Sequence, residues 1–98
     1  MKEEKIKVLA LLPMELPKEI ELDNTLEAMQ KFVGGLIECI TLSDTGSEVT
    51  LVCNDEGKLL GLPWNRALTD DHGVPYDIVC GTFFVAGLKE DDFASLTE

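Results

Sequence analysis

Glu19, Glu21 and Asp23 stand at alternate positions of the segment Lys18 to Asp23. In an extended chain alternate side chains share a face, roughly 6.5–7 Å apart, which is of the order of the spacing of successive phosphates along a nucleic-acid strand. Carboxylates at that interval can enter a groove lined by Lys and Arg and stand in for a phosphate backbone, with the same release of counterions. Glu15 and Glu27 could extend the row at either end. The plainer reading of the same residues is a solvated strand face whose charges discourage edge-to-edge pairing.

A second group is Gly61-Leu62-Pro63-Trp64-Asn65-Arg66-Ala67-Leu68, which holds the one tryptophan of the chain next to a base in an acidic region. Trp and Arg dominate binding hot spots, so Trp64 and Arg66 can form a packing anchor. Equally, Trp64 can plug the core while Arg66 pairs with a carboxylate to organise the loop. A third use of these residues is a small-molecule pocket lined by Asn65, Arg66 and Thr82, with Arg66 meeting the phosphate of a nucleotide signal.

Catalytic chemistry has little to build on. A triad or Cys–His pair needs a histidine beside a nucleophile, and His72, the only histidine, lies between Asp71 and Gly73 in a turn-like stretch. Cys39, Cys53 and Cys80 are odd in number and widely spaced, without the Cys-x-x-Cys pairs of zinc or redox sites. The acidic pairs at Asp70-Asp71 and Glu90-Asp91-Asp92 lack the twelve-residue calcium-loop pattern. No phosphate-cradling glycine motif occurs. The expectation is a binding protein and not an enzyme, with no cofactor and no metal.

The elements that must carry these groups follow from periodicity. Ile6 to Leu12 is a nearly continuous apolar run, expected as a central strand, with a turn at Pro13 to Pro17. Lys18 to Leu22 alternates as a half-solvated strand. Asn24 and Glu27 resemble a capping box opening a helix whose buried stripe is Leu26, Met29, Phe32 and Val33, closed by Gly34-Gly35. Leu36 to Leu42 and Glu48 to Cys53 read as strands of a hairpin around Ser43 to Ser47, followed by a turn at Asn54 to Gly57. Lys58 to Leu68 is irregular, with one helical turn at Asn65 to Leu68. Asp77 to Leu88 reads as one β-rich run with a bulge or close approach at Gly81, and Glu90 to Asp92 cap a short terminal helix, Phe93 to Thr97. The expected fold class is α+β: a mostly antiparallel sheet of about five strands, with one main helix and a short C-terminal helix packed on one face.

Ninety-eight residues form a single domain, 1–98, long enough to bury a core unaided. The net charge is −11, and Phe32 to Glu98 carries twelve acids against Lys58, Arg66 and Lys89. Such a balance argues against direct contact with nucleic acid or an anionic membrane and points to a basic partner, unless it serves solubility alone. The charged N-terminus precedes only a short apolar run, too brief for a signal peptide or a membrane span, so a cytoplasmic location is expected.

Leu26, Val33-Gly34-Gly35, Ile37-Glu38, Cys53-Asn54-Asp55-Glu56-Gly57-Lys58, Gly61-Leu62-Pro63-x-Asn65-Arg66-Ala67-Leu68, Tyr76-Asp77-Ile78, Gly81-Thr82-Phe83 and Phe93-x-Ser95-Leu96 form an ordered set spanning nearly the whole chain. In it the chain resembles a family of small uncharacterised proteins carried by phages, plasmids and integrative elements of Gram-positive bacteria. The resemblance implies a setting rather than an activity. Trp64 fills the variable position of the loop motif. Small acidic proteins of mobile elements are often similar to anti-CRISPR or antirestriction inhibitors. The resemblance therefore implies a stoichiometric inhibitor that docks on the basic surface of a nucleic-acid-binding host protein, a CRISPR effector or a restriction enzyme. Glu15, Glu19, Glu21, Asp23 and Glu27 would supply charge, with Trp64 and Arg66 as anchor. The other expectations are a nucleotide-sequestering protein and an accessory module of phage regulation.

Overall fold

A computed structural model describes residues 4–42, 49–57, 59–69, 72–89 and 92–95. In chain order the elements are β1 (Lys5–Leu11), β2 (Lys18–Asp23), α1 (Leu26–Val33), β3 (Ile37–Leu42), β4 (Val49–Asn54), β5 (Trp64–Thr69), β6 (Pro75–Cys80), β7 (Phe83–Lys89) and β8 (Asp92–Ala94). A six-stranded sheet runs β2-β1-β7-β4-β3, with β8 added to β7, and β5 and β6 form a separate two-stranded ribbon. The strand pairs are antiparallel.

Both faces of the large sheet are covered, so its inner strands are apolar at successive positions. On one face α1 brings Met29 and Val33 onto Ile6, Val8, Val52, Phe84 and Ala86. Phe32 meets the edge of Phe84, with ring centroids 5.7 Å apart. On the other face the ribbon brings Val79 and Leu68 onto Leu11, Leu51, Cys53 and Phe83. Neighbours in sequence such as Phe83 and Phe84 therefore belong to different core layers, the period of two expected in a strand.

The α+β expectation of about five strands with two helices on one face is corrected here. Among the described residues α1 is the one helix, the strands number eight in two sheets, and the helix covers only one of two occupied faces. The proposed terminal helix is replaced over residues 92–94 by β8. Five residues are too few to nucleate a stable helix alone. As a strand, Asp92 to Ala94 pair with Gly87, Leu88 and Lys89 of β7 beyond the point where β1 leaves it, and Phe93 joins the helix-side core. Ser95 Oγ then accepts from Lys7 N–H at 3.1 Å.

The run from Asp77 to Leu88 is two strands in two sheets. Gly81, at φ +88°, turns the chain from the ribbon into the large sheet, and its N–H donates to Pro63 O at 2.6 Å. A side chain there would meet Leu62 Cδ1 at 2.8 Å, so the glycine marks a corner instead of a bulge. The helical turn expected at Asn65 to Leu68 is strand β5, where pairing with β6 outweighs a weak local helical preference. The Ser43 to Ser47 turn, Glu48, Lys58, Asp70-Asp71, Glu90-Asp91 and Leu96 to Glu98 lie outside the described residues.

The helix start is also shifted by one residue. Thr25, not Asn24, caps α1: its Oγ1 accepts from Ala28 N–H at 3.1 Å. Asn24 is buried and ties the β2–α1 junction to the C-terminal strand, its N–H donating to Glu4 O at 2.8 Å and its amide to Phe93 O at 3.4 Å. Leu26 is exposed, so the buried stripe narrows to Met29, Val33 and the half-buried Phe32. Thr25→Ala is expected to cost about 1 kcal/mol, the usual worth of a cap, read as a lowered urea midpoint at unchanged slope.

Candidate functional site

The carboxylate row of β2 exists, but it is not uniformly negative. Ile20 and Leu22 pack toward the helix-side core, which turns Glu19, Glu21 and Asp23 to the opposite, exposed face. In the β1–β2 register Asp23 faces Lys5, Glu21 faces Lys7 and Glu19 faces Leu9. Directly opposed side chains on one face interact, and Lys5 Nζ lies 3.8 Å from Asp23 Oδ1. Both partners of that pair are largely exposed, so its worth is small. Two of the three carboxylates therefore stand beside cations. Glu15 is exposed in the β1–β2 turn, near the Glu19 end. Glu27 sits in the first turn of α1, on the other side of the sheet, and does not extend the row.

The loop motif has a structural purpose. Asn65 is buried, and its Nδ2 donates to Leu11 O and Gly81 O, each at 2.8 Å. One side chain thus ties the end of β1, the β6–β7 corner and the start of β5. Arg66 Nη1 donates to Asn65 Oδ1 at 2.7 Å and Asn65 O at 3.0 Å, and Nη2 donates to Glu15 O at 2.8 Å. The guanidinium holds main-chain carbonyls, not a carboxylate and not an open pocket. Trp64 is 60% exposed and does not plug the core.

A different surface collects negative charge in a concave setting. Glu38 of β3, Asp55 and Glu56 of the 54–57 turn and Asp77 of β6 line a groove of about 370 Å³. Its floor includes Ile40, Cys53 and Val79, and the exposed Leu59 and Ile78 form an apolar rim. Among the described lining residues none is basic.

Local sequence builds this groove. Asn54, buried at the end of β4, accepts from Glu56 N–H at 2.8 Å and donates to Val33 O at 3.2 Å. The turn is thereby fixed to the last carbonyl of α1, with Asp55 and Glu56 left pointing into solvent. Gly57 lets the turn touch β6: a side chain there would come within 2.7 Å of Cys80 O. Sequence reasoning did not single out these acids. Alternation marks Glu19, Glu21 and Asp23 as a row, whereas Glu38, Asp55, Glu56 and Asp77 meet only through the β3–β4 register and the contact of the ribbon with β4. The available signals were the Asn54-Asp55-Glu56-Gly57 turn and the ordered motif set, which contains Glu38, Asp55, Glu56 and Asp77.

The cysteines are thiols without disulfide partners; Cys53 is buried and Cys39 exposed. Cys53 Sγ lies 3.9 Å from Glu38 Oε1. Burial pushes the Cys53 thiol up to about 11, and the Glu38 carboxylate adds to the rise; burial and Glu38 also raise Cys39. A nucleophilic cysteine needs the reverse, a thiolate at neutral pH. Iodoacetamide is therefore expected to alkylate Cys53 slowly up to pH 9, with the rate climbing only toward pH 11. Because the folded value is raised, the stabilisation from the neutral thiol is complete below the ordinary 9.0 and lost as pH rises through about 11. The urea midpoint of the native protein should fall relative to that of Cys53→Ala across that window.

Among the described residues no three His, Cys, Asp or Glu side chains gather closely enough to hold a metal ion, so the groove carboxylates are strung out instead of converging. No helix of the described residues is long and apolar enough to cross a membrane. A family model described as "Domain of unknown function (DUF3846)" matches residues 6–98. No curated protein and no solved structure matches.

Proposed function

The chain belongs to the DUF3846 family, and we propose that it acts by binding, taking a cationic segment of a partner protein into the acidic groove between β3, the 54–57 turn and β6. The observation that carries this reading is the placement of Glu38, Asp55, Glu56 and Asp77 along one concave surface with no base among its described lining residues. A concave, low-dielectric wall focuses the field of such charges and raises the local concentration of a cationic ligand. Carboxylates spread along a groove suit a ligand whose positive charges are also spread, such as a Lys- or Arg-bearing stretch of chain. The apolar rim of Leu59 and Ile78 can cover its aliphatic stems.

In its narrowest form the partner is a protein that handles nucleic acid, whose binding surface is cationic by necessity. Occupying that surface would compete with nucleic acid and make this chain a stoichiometric inhibitor of a CRISPR effector or restriction enzyme. The net charge of −11 supports it. The point of contact moves from the lysine-opposed β2 row to the groove. No observation favours a nucleotide-sequestering role: both amide donors of Asn65 and three N–H groups of Arg66 are engaged within the chain, and the groove would repel phosphate.

The test is calorimetric titration with a peptide of alternating lysine and valine, with a glutamate–valine peptide and ATP as comparators. The lysine peptide should bind at low salt and weaken steeply as salt rises, with neither comparator binding. Binding of ATP, or none of the lysine peptide at low salt, overturns the proposal.

A further inference from the structure

β3 ends the six-stranded sheet, paired with β4 on one side, and among the described residues no strand pairs with its other side. The parity of its hydrogen bonds decides what that edge offers. Leu36 O accepts from Asp55 N–H at 2.8 Å, so residues 36, 38, 40 and 42 direct their main-chain groups to β4. Ile37, Cys39 and Thr41 then turn theirs outward. The opposite edge strand, β2, is guarded by Lys18, Glu19, Glu21 and Asp23. β3, Ile37-Glu38-Cys39-Ile40-Thr41-Leu42, carries only Glu38, and that carboxylate lines the groove.

We propose that the open edge of β3 takes an extended basic segment of the partner as an added strand, an inference that rests on the groove being the cation-binding site. Main-chain bonds to Ile37, Cys39 and Thr41 would hold the segment, and alternate side chains would then fall on opposite faces. Those on the groove side lie beside Glu38 and reach toward Asp55 and Glu56, so they are Lys or Arg. Those on the helix side lie beside Ile37 and the exposed Cys39, so they are apolar. The charge of the groove and the apolar flank of the same strand thus specify an alternating cationic–apolar sequence.

The alternating lysine–valine peptide tests this when compared with two versions N-methylated at one or the other parity of its amides. Only one parity can face β3. One version should bind about tenfold or more weakly while the other stays close to the parent, and hydrogen exchange should slow at the amides of Ile37, Cys39 and Thr41 in the complex. If both methylated versions bind like the parent, the groove reading stands and strand addition is overturned. If the parent itself does not bind at low salt, the groove reading falls and this inference with it. Protection of the same three amides in the protein alone, rising with its concentration, would place a second copy on the edge and also overturn the proposal.

Discussion

Replacing Asn65 with alanine is expected to destabilise the protein by about 3–4 kcal/mol, the largest loss anticipated for a polar side chain of this chain. Its amide supplies the bonds to Leu11 O and Gly81 O at 2.8 Å, both at a buried position. Truncation leaves two carbonyls unmet where water has little access, and each orphaned group costs about 1–3 kcal/mol. Arg66 also loses the Oδ1 acceptor that orients its guanidinium toward Glu15 O. Asn65→Asp keeps the shape but sets a carboxylate against two carbonyl oxygens, so it should be at least as damaging. Arg66→Ala, whose bond to Glu15 O lies in an exposed turn, should cost about 1 kcal/mol. Urea unfolding at constant pH measures all three. A loss under about 1 kcal/mol for Asn65→Ala would show that the clamp is not a source of stability.

That clamp also shows where the sequence was legible and where it was not. The period of two in Lys18 to Leu22 and the apolar runs at Ile6, Leu51 and Phe83 specify strands because local pattern and burial agree. Gly34 ends α1 in a left-handed conformation, as a glycine after a helical stripe should. The long run from Asp77 was misread because nothing local says that Cys80 and Phe83 belong to different sheets; the corner at Gly81 exists only when Pro63 and Leu62 arrive from the loop before β5. Asn65 reads as a pocket residue, and Arg66 as an anchor, a phosphate ligand or a loop organiser paired with a carboxylate, because their carbonyl partners, Leu11, Gly81 and Glu15, are far away in sequence. The β2 row was visible as a row, but the lysines that face it become its neighbours only through the β1–β2 register. The groove is assembled from three separate segments, so periodicity within any one of them could not reveal it.

A second large effect is expected when charge is removed in equal amount from the two acidic surfaces. Glu38→Gln/Asp55→Asn/Glu56→Gln and Glu19→Gln/Glu21→Gln/Asp23→Asn change the net charge identically. If long-range attraction alone drew cations, both triples would weaken binding of the lysine–valine peptide equally. In the groove each carboxylate contributes about 0.5–1 kcal/mol, so the first triple should weaken binding by roughly 10- to 100-fold at low salt. On β2, Lys5 and Lys7 already oppose two of the acids, and the second triple should change binding by less than about threefold. Asp55 and Glu56 are exposed and, among the described residues, the Glu38 side chain makes only a long contact with Cys53, so the groove triple should fold normally. Equal losses in the two triples would assign the attraction to overall charge.

The account depends on where a cation settles, and a titration of the ¹⁵N-labelled protein with the lysine–valine peptide at low salt shows this residue by residue. The account predicts that amide shifts concentrate at Glu38, Asp55, Glu56 and the Asp77-Ile78-Val79 stretch, saturate at one peptide per chain and vanish on raising salt. Shifts centred on Glu19, Glu21 and Asp23, or spread evenly over every acidic residue without saturation, would contradict it.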